Sequence, residues 1–337
     1  RFWCKQMSNK INFEANSNIT GLLVLYFMLI VIFFIMSSTN FLLKDEDKSV
    51  CRMTVIFLEN EEEYYTNFKK GIESAAQDYK IDVNFTNISK NADVNEFRSL
   101  ILKEADSGTD IIMLPNMDSR RFAKLDISSD IIPVFISGVV YKKSEGYMSH
   151  VSIDYQQGID ELVKSIKVSQ LPSAPVYIVA KGNHIHELEQ LIKEKLEQDG
   201  FNVIVRRGIN MEKPCADSSE AELKKTDEIP AVIMLSRGSF TETVKQCSLN
   251  KDNLNYRIYG VGTTTYLLNK LEQGYVSGII TWNEYDEGYA AALNAYMKIF
   301  GTEREKTGLR NEIIPSYYID NNTLESGKYT KMLYPIN

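Results

Sequence analysis

Basic charge, cysteine, histidine and proline are all scarce in this chain. With 38 Lys and Arg against 45 Asp and Glu, the formal charge is −7. That sign lacks the electrostatic footprint that supplies most of the affinity for a phosphate backbone, so no nucleic acid is expected as a partner. Four cysteines in 337 residues are too few for a disulfide scaffold, and none are spaced as the CxxC pairs that hold zinc. Eight prolines, 18 glycines and 44% hydrophobic residues exclude a mainly disordered chain. Catalytic signatures are missing too: there is no GxSxG elbow, P-loop or HExxH. No enzymatic activity and no cofactor are therefore expected. A length of 337 residues exceeds what one hydrophobic core usually serves, which points to two domains.

What the averages hide is one local feature. Residues 15–43 carry no charge, and their centre reads GLLVLYFMLIVIFFIM over 21–36. A bilayer-spanning helix needs roughly 20 largely apolar residues. The segment supplies them, so residues 19–43 are read as a transmembrane helix. Arg1, Lys5 and Lys10 precede it and the net-acidic KDEDK follows at 44–48. The positive-inside rule then leaves residues 1–18 in the cytoplasm and the remainder outside the cell membrane. The rival reading is a cleaved signal peptide, with Ser37 and Ser38 as a weak cleavage site. Cys51 lies beyond the charged segment, the wrong place for a lipid-bearing cysteine. An exterior location leaves two readings of Cys215 and Cys247, a disulfide or two buried thiols.

From Met53 onward, short apolar or β-branched runs alternate with amphipathic stretches of helical length. Strands are predicted at 53–58, 81–85, 110–114, 132–136, 150–153, 176–180, 202–205, 231–235, 257–261, 276–281 and 314–319. Between them, patterns such as Phe68, Ile72, Ala75, Ala76 and Tyr79 put apolar residues on one helix face. Runs such as IIML at 111–114 and VIML at 232–235 are apolar throughout, which suits strands covered on both sides. The predicted fold class is α/β, with parallel sheets flanked by helices in two Rossmann-like lobes. Ligands of such sheets sit beyond the carboxyl ends of the strands. That rule nominates residues 59–65, 115–118, 137–141, 154–157, 181–186, 236–239, 262–266 and 282–286.

Taken in order, YYTNFKKGIESAA (64–76), GTDIIMLP (108–115), IPVFI (132–136), VSIDYQQG (151–158), YGVG (259–262), LEQGYVSGIIT (271–281), EGYAA (287–291) and IPSYYIDNN (314–322) form a recognisable series. The chain resembles the type 1 periplasmic binding proteins, such as the ribose- and galactose-binding proteins and the effector-binding domain of LacI-type repressors. The resemblance covers residues 53–322. It implies three crossovers between lobes, with an N-terminal lobe of 53–153 and 283–309, a C-terminal lobe of 154–282 and 310–322, and a tail at 323–337. It also implies that a small molecule is captured in the interlobe cleft by hinge closure. The place of a repressor's helix-turn-helix is taken here by the apolar segment, which excludes a repressor. Two roles follow. One is an extracellular, membrane-anchored solute-binding protein that delivers a sugar-like or modified-sugar ligand to an ABC-type permease. The alternative is a sensing module read by a membrane partner such as a histidine kinase, with a non-sugar ligand or none.

The candidate ligand-binding residues are Tyr64, Tyr65, Asn116, Ser137, Tyr141, Asp154, His184, Arg237, Thr263 and Trp282, all directly after predicted strands. Sugar-binding relatives carry carboxylates after the strands that match 132–136 and 259–261. Here Ser137-Gly138 and Gly262-Thr263 stand in those places, which argues against simple pentoses or hexoses. Tyr64, Tyr65, Tyr141 and Trp282 offer flat faces for a ring. Asp154 either meets ligand or caps the helix that follows it. Arg237 is either a partner for a carboxylate or phosphate, or a solvated surface residue. His184 and His186 are two apart, a spacing that does not share a helix face. They are read as cleft-lining polar residues, and no metal is expected.

Overall fold

The computed structural model describes residues 21–33, 50–58, 65–89, 91–115, 125, 127–128, 131–140, 151–180, 186–207, 229–249, 256–308 and 311–335. Residues 21–33 form a helix, α1, whose side chains are exposed and apolar. Among the described residues no helix is long and apolar enough to cross a membrane. The rest of the segment read as a span lies outside the described residues.

The wholly apolar runs of the sequence become buried strands. VYIVA (β7, Val176–Ala180), AVIM (β9, Ala231–Met234) and GIITW (β11, Gly278–Trp282) are buried at every position, as strands covered by helices on both faces must be. Two sheets result. The first has four strands in the order β2 (Ile81–Ile88), β1 (Cys51–Leu58), β3 (Ile111–Pro115) and β4 (Val134–Ser137), all parallel. The second has eight strands in the order β5-β6-β12-β11-β10-β9-β7-β8. Its remaining members are β5 (Val139–Val140), β6 (Val151–Asp154), β8 (Val203–Arg207), β10 (Arg257–Val261) and β12 (Glu312–Ile319).

The eight-stranded sheet departs from the expected parallel order at one place, where β12 runs antiparallel to β11 and parallel to β6. The strand β5 was not predicted. It pairs with β6, and β6 pairs with β12, so both hydrogen-bond into the larger sheet even though residues up to 153 were allotted to the first lobe on sequence grounds.

The helices in chain order are α2 (Thr66–Tyr79), α3 (Val94–Asp106), α4 (Gln156–Ser169), α5 (His186–Gln198), α6 (Arg237–Leu249), α7 (Thr265–Glu272), α8 (Glu284–Phe300), α9 (Glu303–Gly308), α10 (Asn321–Glu325) and α11 (Thr330–Leu333). Their starts follow local chemistry. Asp93 and Glu96 form a reciprocal capping box on α3, and Asn283 caps α8 by accepting from the Asp286 N–H at 3.2 Å. After β11 the chain leaves the larger sheet, packs α8 along α2 beside the smaller one, and returns at β12. The smaller sheet is thus joined to the larger by three passages of chain. One apolar cluster runs through the junction, from Phe57, Phe68 and Ile72 past Ala291, Tyr155 and Trp282 to Ile178 and Ile233.

The α2–α8 contact has no room for side chains at its crossing. A Cβ on Gly71 would collide with the Tyr285 carbonyl oxygen, and one on Gly288 with the Phe68 carbonyl oxygen. The tail adds a further link. Leu333 lies in an apolar cluster with Leu267, Leu271, Val276 and Ile319 of the larger-sheet side. Its carbonyl accepts from Asn67 Nδ2 of α2 at 3.3 Å, and the Pro335 carbonyl accepts from Lys70 Nζ at 3.3 Å. Cys51 and Cys247 are buried free thiols. Cys247 Sγ lies 2.9 Å from Tyr256 Oη, and Cys215 falls outside the described residues. We expect Gly71→Ala to destabilise the protein by about 1–3 kcal/mol, the usual range for forcing atoms into a packed interface. Urea unfolding of the two proteins measures this, and equal midpoints would contradict the packing described.

Candidate functional site

Each sheet delivers side chains to one place from the carboxyl ends of its strands. From the smaller sheet come Ser137, the last residue of β4, and Tyr65, directly before α2. From the larger come Tyr155 after β6, Arg237 after β9, Gly262 after β10 and Trp282 at the end of β11. The first turn of α8 adds Glu284 and Glu287, three residues apart and so on one helix face.

Arg237 holds the group together. Its Nη2 donates to Glu284 Oε1, with the arginine side chain 10% and the glutamate 5% exposed. Its guanidinium also lies 5.5 Å from the Tyr65 ring centroid and 5.7 Å from that of Trp282, within cation–π range of both. Gly262 makes this position possible, because at φ +85° it has no Cβ, and a Cβ there would stand 2.6 Å from Arg237 Nε. Trp282 Nε1 donates to Glu287 Oε2 at 2.6 Å, and the Tyr155 ring meets Trp282 edge-on at 5.6 Å between centroids.

Two carboxylates and one guanidinium share this buried volume. Burial pushes the Glu284 carboxyl up to about 7 against the opposing pull of Arg237. Burial likewise raises Glu287 to about 7, with Glu284 adding to the rise and Trp282, Arg237 and Ser137 opposing it. The Tyr155 hydroxyl is held protonated by burial, reinforced by Glu287. Ser137 lies near Glu287, yet Ser137 Oγ and Glu287 Oε1 are both buried without a hydrogen bond among the described residues.

Of the ten candidate residues, Tyr65, Ser137, Arg237 and Trp282 are brought into this group. For Arg237 the solvated-surface reading is overturned by its burial. Asp154, one residue ahead of the α4 N-cap Tyr155, accepts through Oδ1 from the Gln156 N–H at 2.9 Å, and the Tyr155 side chain itself makes no capping bond. Thr263 is buried with its hydroxyl 3.2 Å from that of Thr281. Tyr64, Asn116, Tyr141 and His184 lie outside the described residues. His186 Nδ1 is 3.9 Å from Glu189 Oε1, which takes Arg207 Nη2 at 2.6 Å. Among the described residues no His, Cys, Asp or Glu group could hold a metal.

Tyr155 and Glu284 lie within the nominated stretches 154–157 and 282–286 but were not among the ten candidates, and Glu287 lies outside every nominated stretch. The available signal was Asn283 followed by acidic residues at 284, 286 and 287: a capped helix start directly after a nominated strand, with two carboxylates at i, i+3 spacing.

Among solved structures, the chain is similar to a solute-binding protein of an ABC transporter from Agrobacterium vitis bound with α-D-tagatopyranose. The TM-score is 0.65 at 14% identity, covering 85% of this chain and 100% of that one. It is also similar to GanP, a glucose-galactose binding protein from Geobacillus stearothermophilus, with TM-score 0.63, 17% identity and coverage of 82% and 99%. The chain has the type 1 periplasmic-binding-protein fold. A third structure with this fold, the XylFII-LytSN complex, matches with TM-score 0.63 at 16% identity, covering 81% of this chain and 98% of that one. No protein-family model and no curated protein sequence matches the chain.

In this fold the buried carboxyls give stability a pH dependence whose sign is fixed. A carboxyl raised to about 7 when folded keeps a proton that the unfolded chain releases near its ordinary value of 4.5. Stability should therefore fall as pH rises from about 4.5 to about 7. In Glu287→Gln the melting temperature should fall less steeply over that window. A variant with the wild-type slope would remove Glu287 as a source of the effect.

Proposed function

We propose that the chain is a membrane-anchored, extracellular solute-binding protein that captures a small polar, sugar-like molecule between its two sheets and presents the ligand-bound form to an ABC-type permease. The observation that carries this reading is the convergence of Tyr65, Trp282, Arg237, Glu284 and Glu287 from both sides of the interlobe junction. A ligand seated there touches both lobes, and only a ligand with different affinity for open and closed forms shifts one toward the other. Aromatic faces beside carboxylate and guanidinium groups are the partners that a polyhydroxylated ring uses. The sugar ligands of the structural neighbours support the same class.

The second reading is a sensing module whose lobe arrangement is read by a membrane protein. Two observations favour it. One structural neighbour was solved as a complex named XylFII-LytSN, and in this chain Arg237 already bridges the lobes through its own pairing with Glu284.

Full-length protein titrated with a panel of sugars, amino sugars and nucleosides is expected to gain about 2–4 kcal/mol of stability with at least one of them, at ligand well above its dissociation constant. The emission of Trp282 should change in the same titration, because its indole N–H is held by a carboxylate inside the site. Absence of any shift across sugars, amino sugars and nucleosides would sink solute capture.

The anchor rests on the charge-free stretch at 15–43. The full chain should remain with the membrane pellet after an alkaline carbonate wash. Release into the supernatant would point to a cleaved leader instead.

A further inference from the structure

Charge balance inside the site identifies the ligand more narrowly than sugar-like; the argument rests on reading the junction as a solute site. Arg237 is committed to Glu284. Glu287 is then a second carboxylate, 2% exposed, whose Oε2 takes only the neutral Trp282 N–H. Among the described residues, the groups facing it are Ser137 from β4, Tyr155 from the β6–α4 junction, Arg237 from α6, Trp282 from β11 and Glu284 from its own helix. Arg237 is the one cation in that set. An ionised carboxylate taken from water without a matching cation is strongly disfavoured.

Beside it are two polar atoms that lack a well-formed hydrogen bond, Glu287 Oε1 and Ser137 Oγ, on residues 2% and 0% exposed, with the hydroxyl close enough to draw the Glu287 carboxyl down. A ligand hydroxyl could bridge them, but it would leave the charge unmatched. An ammonium group donates to both oxygens and supplies the missing positive charge.

We propose that Glu287 and Ser137 form an acceptor subsite for a primary ammonium group, so that the solute selected by the cleft is a small amine-bearing polar molecule, of the amino-sugar type, in preference to its neutral counterpart. The raised carboxyl of Glu287 agrees with this assignment: in the empty site it holds a proton that an arriving ammonium would displace.

Calorimetric titration of the full-length protein at neutral pH compares matched pairs, D-glucosamine with D-glucose and D-glucamine with D-glucitol. At least one amine should bind about tenfold or more tightly than its neutral partner, and in Glu287→Gln the preference should shrink to about threefold or less. Ser137→Ala should weaken the amine more than its neutral partner and so narrow the preference between them. An arm needing no variant uses D-glucamine, an alkylammonium that stays charged across the range. Its affinity for the wild-type protein should rise between roughly pH 6 and 8 as Glu287 loses its proton. Neutral sugars binding as tightly as their amines, or a D-glucamine affinity flat with pH, would overturn the ammonium subsite and leave solute capture standing. No binding by any of the four compounds would overturn the ammonium subsite, and solute capture would fall with it only if the wider set of sugars and nucleosides also gave no shift.

Discussion

The close crossing of α2 and α8 is the constraint on which the rest of the site depends. Gly71 and Gly288 each face a backbone carbonyl of the opposite helix with no space for a methyl group. Helices that approach so closely are fixed in rotation and translation by backbone contact. Side-chain choice elsewhere along the interface has little freedom to move them. That fixed relation brings the acidic first turn of α8 beside Tyr65 at the start of α2. It also sets where the chain, arriving from β11, must deliver Trp282. Without it, the two carboxylates and the aromatic faces would belong to separate surfaces.

On this frame a small amount of charge is concentrated in a dry volume. The pairing of Arg237 with Glu284 is buried at both ends, and such pairs contribute little net stability because desolvation offsets attraction. Their value lies in selectivity, since a guanidinium aimed between two rings and onto a carboxylate tolerates few other arrangements. Here the pairing joins the start of α6, on the larger-sheet side, to the start of α8, which packs along α2 beside the smaller sheet. Glycine at 262 serves the same end from the opposite side by leaving space for the arginine.

Much of the architecture was legible in the sequence because a two-sided sheet demands unbroken apolar strands. Runs such as 176–180 and 231–234 could hardly be anything else. Four of the site residues were legible for a related reason, since the open parallel fold restricts ligand contacts to the ends of strands. Glu284 and Glu287 escaped notice because acidic residues in a first helical turn have an ordinary explanation in the helix dipole. Only the crossing of α2 reveals that this turn is buried. Tyr155 was hidden because its place after Asp154 reads as a helix start, and the ring's contact with Trp282 is distant in sequence. The short strand β5 has two residues, below the length at which alternation or apolar runs carry information.

The tail has a mechanical implication. Its Leu333 side chain is anchored among residues of the larger-sheet side, while the carbonyls of Leu333 and Pro335 are held by α2. The polypeptide therefore ties the lobes at a fourth point beyond the three covalent passages, through two weak bonds that are cheap to break. Any shift of α2 against the larger sheet must therefore either break these two bonds or carry residues 333–335 with it.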